Sequence, residues 1–177
     1  MKLTKRPALK WLTTCTIRTF QRSGRKSLLL TGGKGRGKTT LLDALLDGAS
    51  LPGVRSEAER GADGLPVRIW LTERGTDRRC VVGRREGGPM LPDREAFDGE
   101  GAAMLHRARL APGEWAAVDE IGFLESCSES YLAELRRLFD EKRVLAAIRK
   151  ADTPFLCELR ARDDCLVIDL DEWEGEP

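Results

Sequence analysis

The stretch LLLTGGKGRGKTT, from Leu28 to Thr40, admits few folds, because an apolar run breaks into glycines and restarts as an amphipathic segment headed by lysine. Its pattern predicts a buried strand over Ser27 to Thr31, a tight loop over Gly32 to Gly37 and a helix from Lys38 to Leu46. Gly32-x-x-x-x-Gly37-Lys38-Thr39 is the phosphate-binding Walker A spacing in its required strand, loop and helix setting. Gly32, Gly33, Gly35 and Gly37 open backbone conformations in which successive N–H groups turn inward toward phosphate oxygens, and the helix start adds partial positive charge. Lys34, Arg36 and Thr40 complete the expected nucleotide-binding run. Lys38 is placed to reach the β- and γ-phosphates, and Thr39 offers a hydroxyl to Mg2+, an ion that keeps most of its waters and takes few protein oxygens. The bland alternative is a glycine-rich turn before a helix with a solvated lysine.

At 177 residues, with 41% hydrophobic and 33% charged side chains, the chain has the size and composition of one soluble domain. Its formal charge of +1 hides an asymmetry: residues 1 to 42 hold eleven Lys or Arg and no carboxylate, the first acid being Asp43. No apolar run approaches the ~18 residues of a membrane span, and no secretory signal is visible, so the expected location is cytoplasmic, with no membrane partner. The five cysteines form no C-x-x-C pair, which argues for reduced thiols rather than disulfides or zinc. His106 falls on a predicted helix in a surface or half-buried role.

Residues 1 to 26 read as a basic N-terminal arm ahead of a domain spanning 27 to 177. Three readings compete for the arm: a solvated segment or short helix packed on the domain, a contact with nucleic acid or another acidic partner, and an organellar targeting segment. After the phosphate loop, Leu41, Leu42, Leu45 and Leu46 give the helix a buried face that Gly48 and Pro52 end. Gly53 to Glu57, Leu65 to Thr72 and Arg79 to Arg84 read as strands joined in hairpins. Arg74, Arg78, Arg79, Arg84 and Arg85 make this segment basic, as solvated edge charges or as a phosphate-facing surface.

Gly87 to Pro92 reads as a loop and Ala96 to Leu110 as a helix stopped by Pro112-Gly113. Trp115 to Glu120 is a short apolar strand ending in two carboxylates, the second half of a nucleotide site. Asp119 is the expected metal residue, alongside Thr39, and Glu120 the base that takes a proton from attacking water. A helix starting at Ser126, with Glu129 in capping-box spacing, buries Leu132, Leu135, Leu138 and Phe139. Val144 to Ile148 is the next strand, Thr153-Pro154 opens a helix, Cys165 to Leu170 is a last strand, and the acidic tail beyond should fray. Alternating strands and helices predict a three-layer α/β domain, largely parallel, with an antiparallel hairpin excursion.

The motifs TGGKGRGKTTLL, VDEIGFLES and VLAAIRKADTPFLCELRARDDCLVIDL, in that order, resemble a family of small P-loop nucleoside-triphosphatases of thermostable archaeal and bacterial type, with cancer-related nucleoside-triphosphatase relatives. The resemblance covers roughly residues 27 to 170, and Glu125 matches a family glutamate. The family's Gly-Phe-x-Thr-Glu is replaced by Gly53-Val54-Arg55-Ser56-Glu57, and residues before Ser27 have no clear counterpart. The resemblance implies a RecA-like, kinase-related sheet and hydrolysis of several nucleoside triphosphates (ATP, GTP and others) to diphosphates. In such sheets the strand after the carboxylate strand lies beside the phosphate-loop strand. That order would bring Arg149 or Lys150 to the γ-phosphate, with Arg149 the expected catalytic cation beside Lys38 and Glu120. A phosphotransferase acting on a nucleoside or nucleotide, and a nucleoside-triphosphate-dependent nucleic-acid switch, are the competing functions.

Overall fold

The computed structural model describes residues 6–172. The strands are β1 (Ser27–Thr31), β2 (Gly53–Arg60), β3 (Pro66–Glu73), β4 (Arg79–Arg84), β5 (Leu91–Pro92), β6 (Trp115–Ile121), β7 (Arg143–Ile148) and β8 (Cys165–Asp169). They form one sheet in the order β5-β4-β3-β2-β6-β7-β1-β8. The five strands from β2 to β8 run parallel, and β3, β4 and β5 extend the sheet antiparallel beyond β2. Strand β7 lies between β6 and β1, the order expected of a RecA-like sheet.

Strand alternation splits the core into two layers. Leu28, Leu30, Ala117, Ala147 and Ile168 face helices α1 (Arg6–Ser23) and α2 (Lys38–Leu46), where Leu12, Leu41, Leu42 and Leu46 meet them. Leu29, Ala116, Val118, Val144, Ala146 and Ile148 face the other way. There they meet Met104 and Leu105 of α4 (Ala102–Leu110), Leu135, Leu138 and Phe139 of α5 (Glu129–Glu141), and Phe155, Leu156 and Leu159 of α6 (Pro154–Arg160). Burying one such leucine contributes about 1.5–3 kcal/mol, so the parallel strands are clamped from both sides. Strand β2 lies so close to β6 that a Cβ on Gly53 would stand 1.8 Å from the Ala117 carbonyl oxygen, and only glycine fits there.

Several sequence expectations are corrected by tertiary contacts. The helix expected over Ala96 to Leu110 begins earlier and is interrupted: α3 (Arg94–Ala96) is capped by Asp93, which accepts from the Ala96 N–H at 3.0 Å, and a π-helical turn at Phe97–Gly101 precedes α4. Leu91 and Pro92, expected in a loop, pair with β4. Helix α5 starts at Glu129 with Ser128 as its cap, not at Ser126, because the Ser128 hydroxyl accepts from Tyr131 N–H and donates to Asp98 of the π-turn. Leu124–Cys127 is instead a single 3-10 turn. The N-terminal segment forms an 18-residue helix that rests Leu12, with half-buried Leu9 and Phe20, on the α2 layer. The acidic tail does not fray where it can be described, since Asp171 is bound to the phosphate loop; residues 173–177 lie outside the described residues. Among the described residues, no helix is long and apolar enough to cross a membrane.

Candidate active site at the carboxyl ends of the parallel strands

Strand β1 is buried at every position, so the chain leaves the sheet at a fixed point and Gly32 to Gly37 must turn sharply into α2. Gly35 and Gly37 do so with φ of 76° and 90°, the left-handed region that a side chain would strain. The loop residues Gly32, Gly33, Lys34, Gly35, Gly37, Lys38, Thr39 and Thr40 line a cavity of about 500 Å3, closed on its far side by Glu120, Arg149 and Lys150. Arg36 is the one expected loop residue that turns away, pairing with Asp171 at 2.6 Å and donating to the Leu170 carbonyl.

Lys38 is 9% exposed and its Nζ donates to the carbonyls of Gly32 at 2.9 Å and Gly33 at 3.3 Å, with Glu120 Oε1 also at 3.3 Å. The ammonium is thus held over the loop by partners that an incoming phosphate could replace. Thr39 Oγ1 donates to Asp119 Oδ1 at 3.1 Å, which joins the start of α2 to the tip of β6. Burial pushes the Asp119 carboxyl above its ordinary value, opposed by the Thr39 hydroxyl and by the Arg55 guanidinium. Two adjacent hard oxygens suit Mg2+ with a shell completed by water and phosphate. Among the described residues, no cluster of three or more His, Cys, Asp or Glu offers a denser metal site.

Glu120 follows on β6 and stands between two cations, Lys38 and, at 3.4 Å, Arg149 Nε. Arg149 sits at the end of β7 with its guanidinium 5.1 Å from the centroid of the Phe123 ring. Lys150 also lines the cavity, but its ammonium is drawn to Asp169 at 2.8 Å and Asp171 at 3.4 Å. Glu125 lies behind this wall, accepting from the Gly122 N–H at 3.0 Å; burial raises its carboxyl to about 7.

Two contacts were not visible in the sequence. Asp171 accepts from the Gly33 N–H at 2.9 Å and so ties the exit of β8 to the phosphate loop. Arg55 pairs with Asp43 at 3.2 Å and approaches Asp119 to 3.9 Å. Neither carries a local signature; the Asp171 contact spans 138 residues. A groove of similar size, about 550 Å3, opens at the other end of the sheet between α1 and Trp115, with a largely apolar wall that includes Leu28, Leu45, Leu46, Leu51 and Leu145. It lacks a glycine loop and paired carboxylates, so chemistry rather than volume selects the phosphate-loop cavity.

A family model described as NTPase matches residues 27–174. The nucleoside-triphosphatase THEP1 of Thermotoga maritima is 30% identical over 153 residues, 82% of this chain and 86% of that protein. THEP1 of a second Thermotoga strain is 28% identical over 151 residues, with the same coverage. The crystal structure of THEP1 from the hyperthermophile Aquifex aeolicus superposes with a TM-score of 0.66 at 21% identity, over 81% of this chain and 89% of that one, a likeness of fold. With the phosphate loop, the carboxylate strand and the sheet order all in place, the chain belongs to this P-loop NTPase family.

Proposed function

We propose that the protein hydrolyses nucleoside triphosphates to diphosphate and phosphate in a magnesium-dependent reaction with loose base specificity. One observation carries the reading: Lys38, Thr39 and Glu120 line a single cavity, and two contacts, Lys38 to Glu120 and Thr39 to Asp119, join the start of α2 to the tip of β6 beside it. Phosphate binding asks Lys38 to exchange the Gly32 and Gly33 carbonyls for β- and γ-oxygens, while the loop amides take the remaining oxygens. That exchange also loosens Lys38 from Glu120 and leaves the carboxylate free to accept a proton from water. Mg2+ held by Thr39 and Asp119 would supply charge neutralisation across the β- and γ-phosphates. Arg149, supported on Phe123, would stabilise charge on the leaving oxygens more than it aids binding.

Loose base specificity is supported by the cavity lining, which among the described residues includes no aromatic ring or amide side chain to read a base edge. We take residues 27–177 as the nucleotide-processing domain and 1–26 as an addition, because both the family match and the sheet begin at residue 27. The five free thiols support a cytoplasmic setting.

Glu120→Gln tests the reading. The amide keeps the shape but cannot take a proton, so turnover should fall by ~10²–10⁴-fold while nucleotide and Mg2+ binding persist. A variant that still hydrolyses ATP and GTP at the parent rate would remove Glu120 from the mechanism.

A further inference from the structure

Beside the metal residues, on the α2 face of the sheet, lies a second polar cavity of about 240 Å3. Arg55 of β2 and Arg74, just past β3, line it together with Ser50 and the hydroxyl residue Thr72. Its acids do not neutralise Arg74. Glu73 turns its carboxylate to the opposite face of the sheet, where Arg107 of α4 takes it at 2.8 Å, and Glu57 pairs with Arg55 at 3.5 Å.

Arg74 therefore has an unusual position. Its backbone N–H is fixed to the Gly53 carbonyl at 2.9 Å, yet its buried Nη1 has no hydrogen-bond partner. Burial, and then the charge of Arg55, depresses the Arg74 guanidinium below its ordinary value, opposed in part by the carboxylates of Asp43 and Asp119. A buried N–H left without an acceptor is costly, and two crowded guanidiniums favour an anion between them. The turn that carries Arg74 is closed by its own bonds: the Glu73 N–H donates to the Arg78 carbonyl at 2.9 Å, the Arg78 N–H donates to Thr76 Oγ1 at 3.1 Å, and Gly75 takes the left-handed φ of 76°. At about 30 Å3 per water, the cavity has room for a tetrahedral oxyanion and part of its hydration shell.

We infer that Arg55 and Arg74, assisted by Ser50 and Thr72, form a second oxyanion site for a phosphate group, separate from the phosphate loop and coupled to it through Arg55. The coupling is geometric: Arg55 reaches Asp119 at 3.9 Å and Asp43 at 3.2 Å, so an oxyanion that recruits its guanidinium draws it from the carboxylate paired with Thr39. The chemistry fits two sources, the inorganic phosphate that hydrolysis releases or the phosphate monoester of a second ligand. The inference rests on the hydrolase reading only for the first source.

The test is calorimetric titration of the full chain, saturated with Mg2+ and a non-hydrolysable ATP analogue so that the phosphate loop is filled. Inorganic phosphate and a nucleoside 5′-monophosphate are titrated in separate arms. The parent should bind at least one of them at a single site, Arg74→Ala should weaken that binding at least ~10-fold, and Arg74→Lys should restore part of it. Arg68→Ala, which removes an exposed arginine from the same face, should leave it unchanged. Tighter binding of the monophosphate identifies a phosphorylated second ligand; equal or tighter binding of inorganic phosphate identifies the released product. Repeating the titration on Lys38→Ala without analogue separates the two readings, since loss of the phosphate loop should spare this site. Thr72→Val gives a second probe if Arg74→Ala does not fold, as judged by thermal melting. No binding by the parent in either arm, or equal affinity in Arg74→Ala, overturns the inference.

Discussion

The parallel half of the sheet and its antiparallel flank solve opposite problems with the same backbone. Strand β1, in the parallel half, is buried at all five positions and packs leucines on both faces, whereas β3 in the flank is mostly half-buried. Parallel strands are joined by helices that cover both faces, so their side chains must be apolar on each side. Antiparallel hairpins carry no such cover. Ile69, Leu71, Cys80 and Val82 of the flank pack on the core, while Trp70, Arg68 and Arg79 look outward. The outer face is tied by polar contacts instead: Trp70 Nε1 donates to Glu59 at 2.8 Å and the Arg79 guanidinium lies 4.4 Å from the Trp70 ring centroid. The rigid half thus presents the phosphate loop and Asp119, and the open half presents arginines beside them.

The contrast can be broken most severely at Leu29, which is fully buried between two parallel neighbours. Leu29→Ala should destabilise by about 2–5 kcal/mol, measured by chemical denaturation, because the surrounding strands cannot collapse into the void. An effect under about 1 kcal/mol would show that the parallel half is more plastic than its packing implies.

The two halves should also respond to pH with opposite sign. Glu125, behind the parallel strands, has its folded carboxyl raised to about 7 from an unfolded value of 4.5. The folded state therefore binds the extra proton, and stability from this group is complete below the unfolded value and lost as pH rises toward 7. Glu125→Gln removes the loss and keeps an acceptor for the Gly122 N–H, so the variant should gain on the parent by about 1–3 kcal/mol between pH 5 and 8. Thermal melts at the two pH values check it.

In the flank, Glu73 is held below its ordinary value, chiefly by hydrogen bonds from Arg107. Its contribution is present above the unfolded carboxylate value and disappears as pH falls through the folded one. Glu73→Gln should cost about 1–2 kcal/mol at pH 7, toward the lower end of charge-assisted bonds because Arg107 is 35% exposed, and close to nothing at the acid limit. A penalty independent of pH would contradict the ion-pair account. Smallest of all, Arg79→Ala removes an exposed cation from the Trp70 face and should cost about 0.5–1 kcal/mol with no change in turnover. A larger loss would mean that the outer face carries more of the flank's stability than its exposure suggests.

Elements whose cause is local could be read from the residues alone. A run of three leucines leading into glycines fixes β1 and the loop, because a buried strand and a left-handed turn satisfy those residues. The strand from Trp115 to the two carboxylates and the hairpin spacing are legible for the same reason, as each signal lies within a few residues. Tertiary structure decided the remainder. Helix α5 is capped by Ser128 and begins at Glu129 because Asp98, 30 residues away, accepts the Ser128 hydroxyl proton and holds the cap in place. Asp171 reaches the Gly33 N–H because β8 pairs beside β1, and Arg74 shares a cavity with Arg55 because the β2–β3 register brings the ends of these strands together. Side-chain chemistry can be read one residue at a time, but which charges become neighbours is set by strand order and register. Those follow from burying the whole set of apolar faces at once.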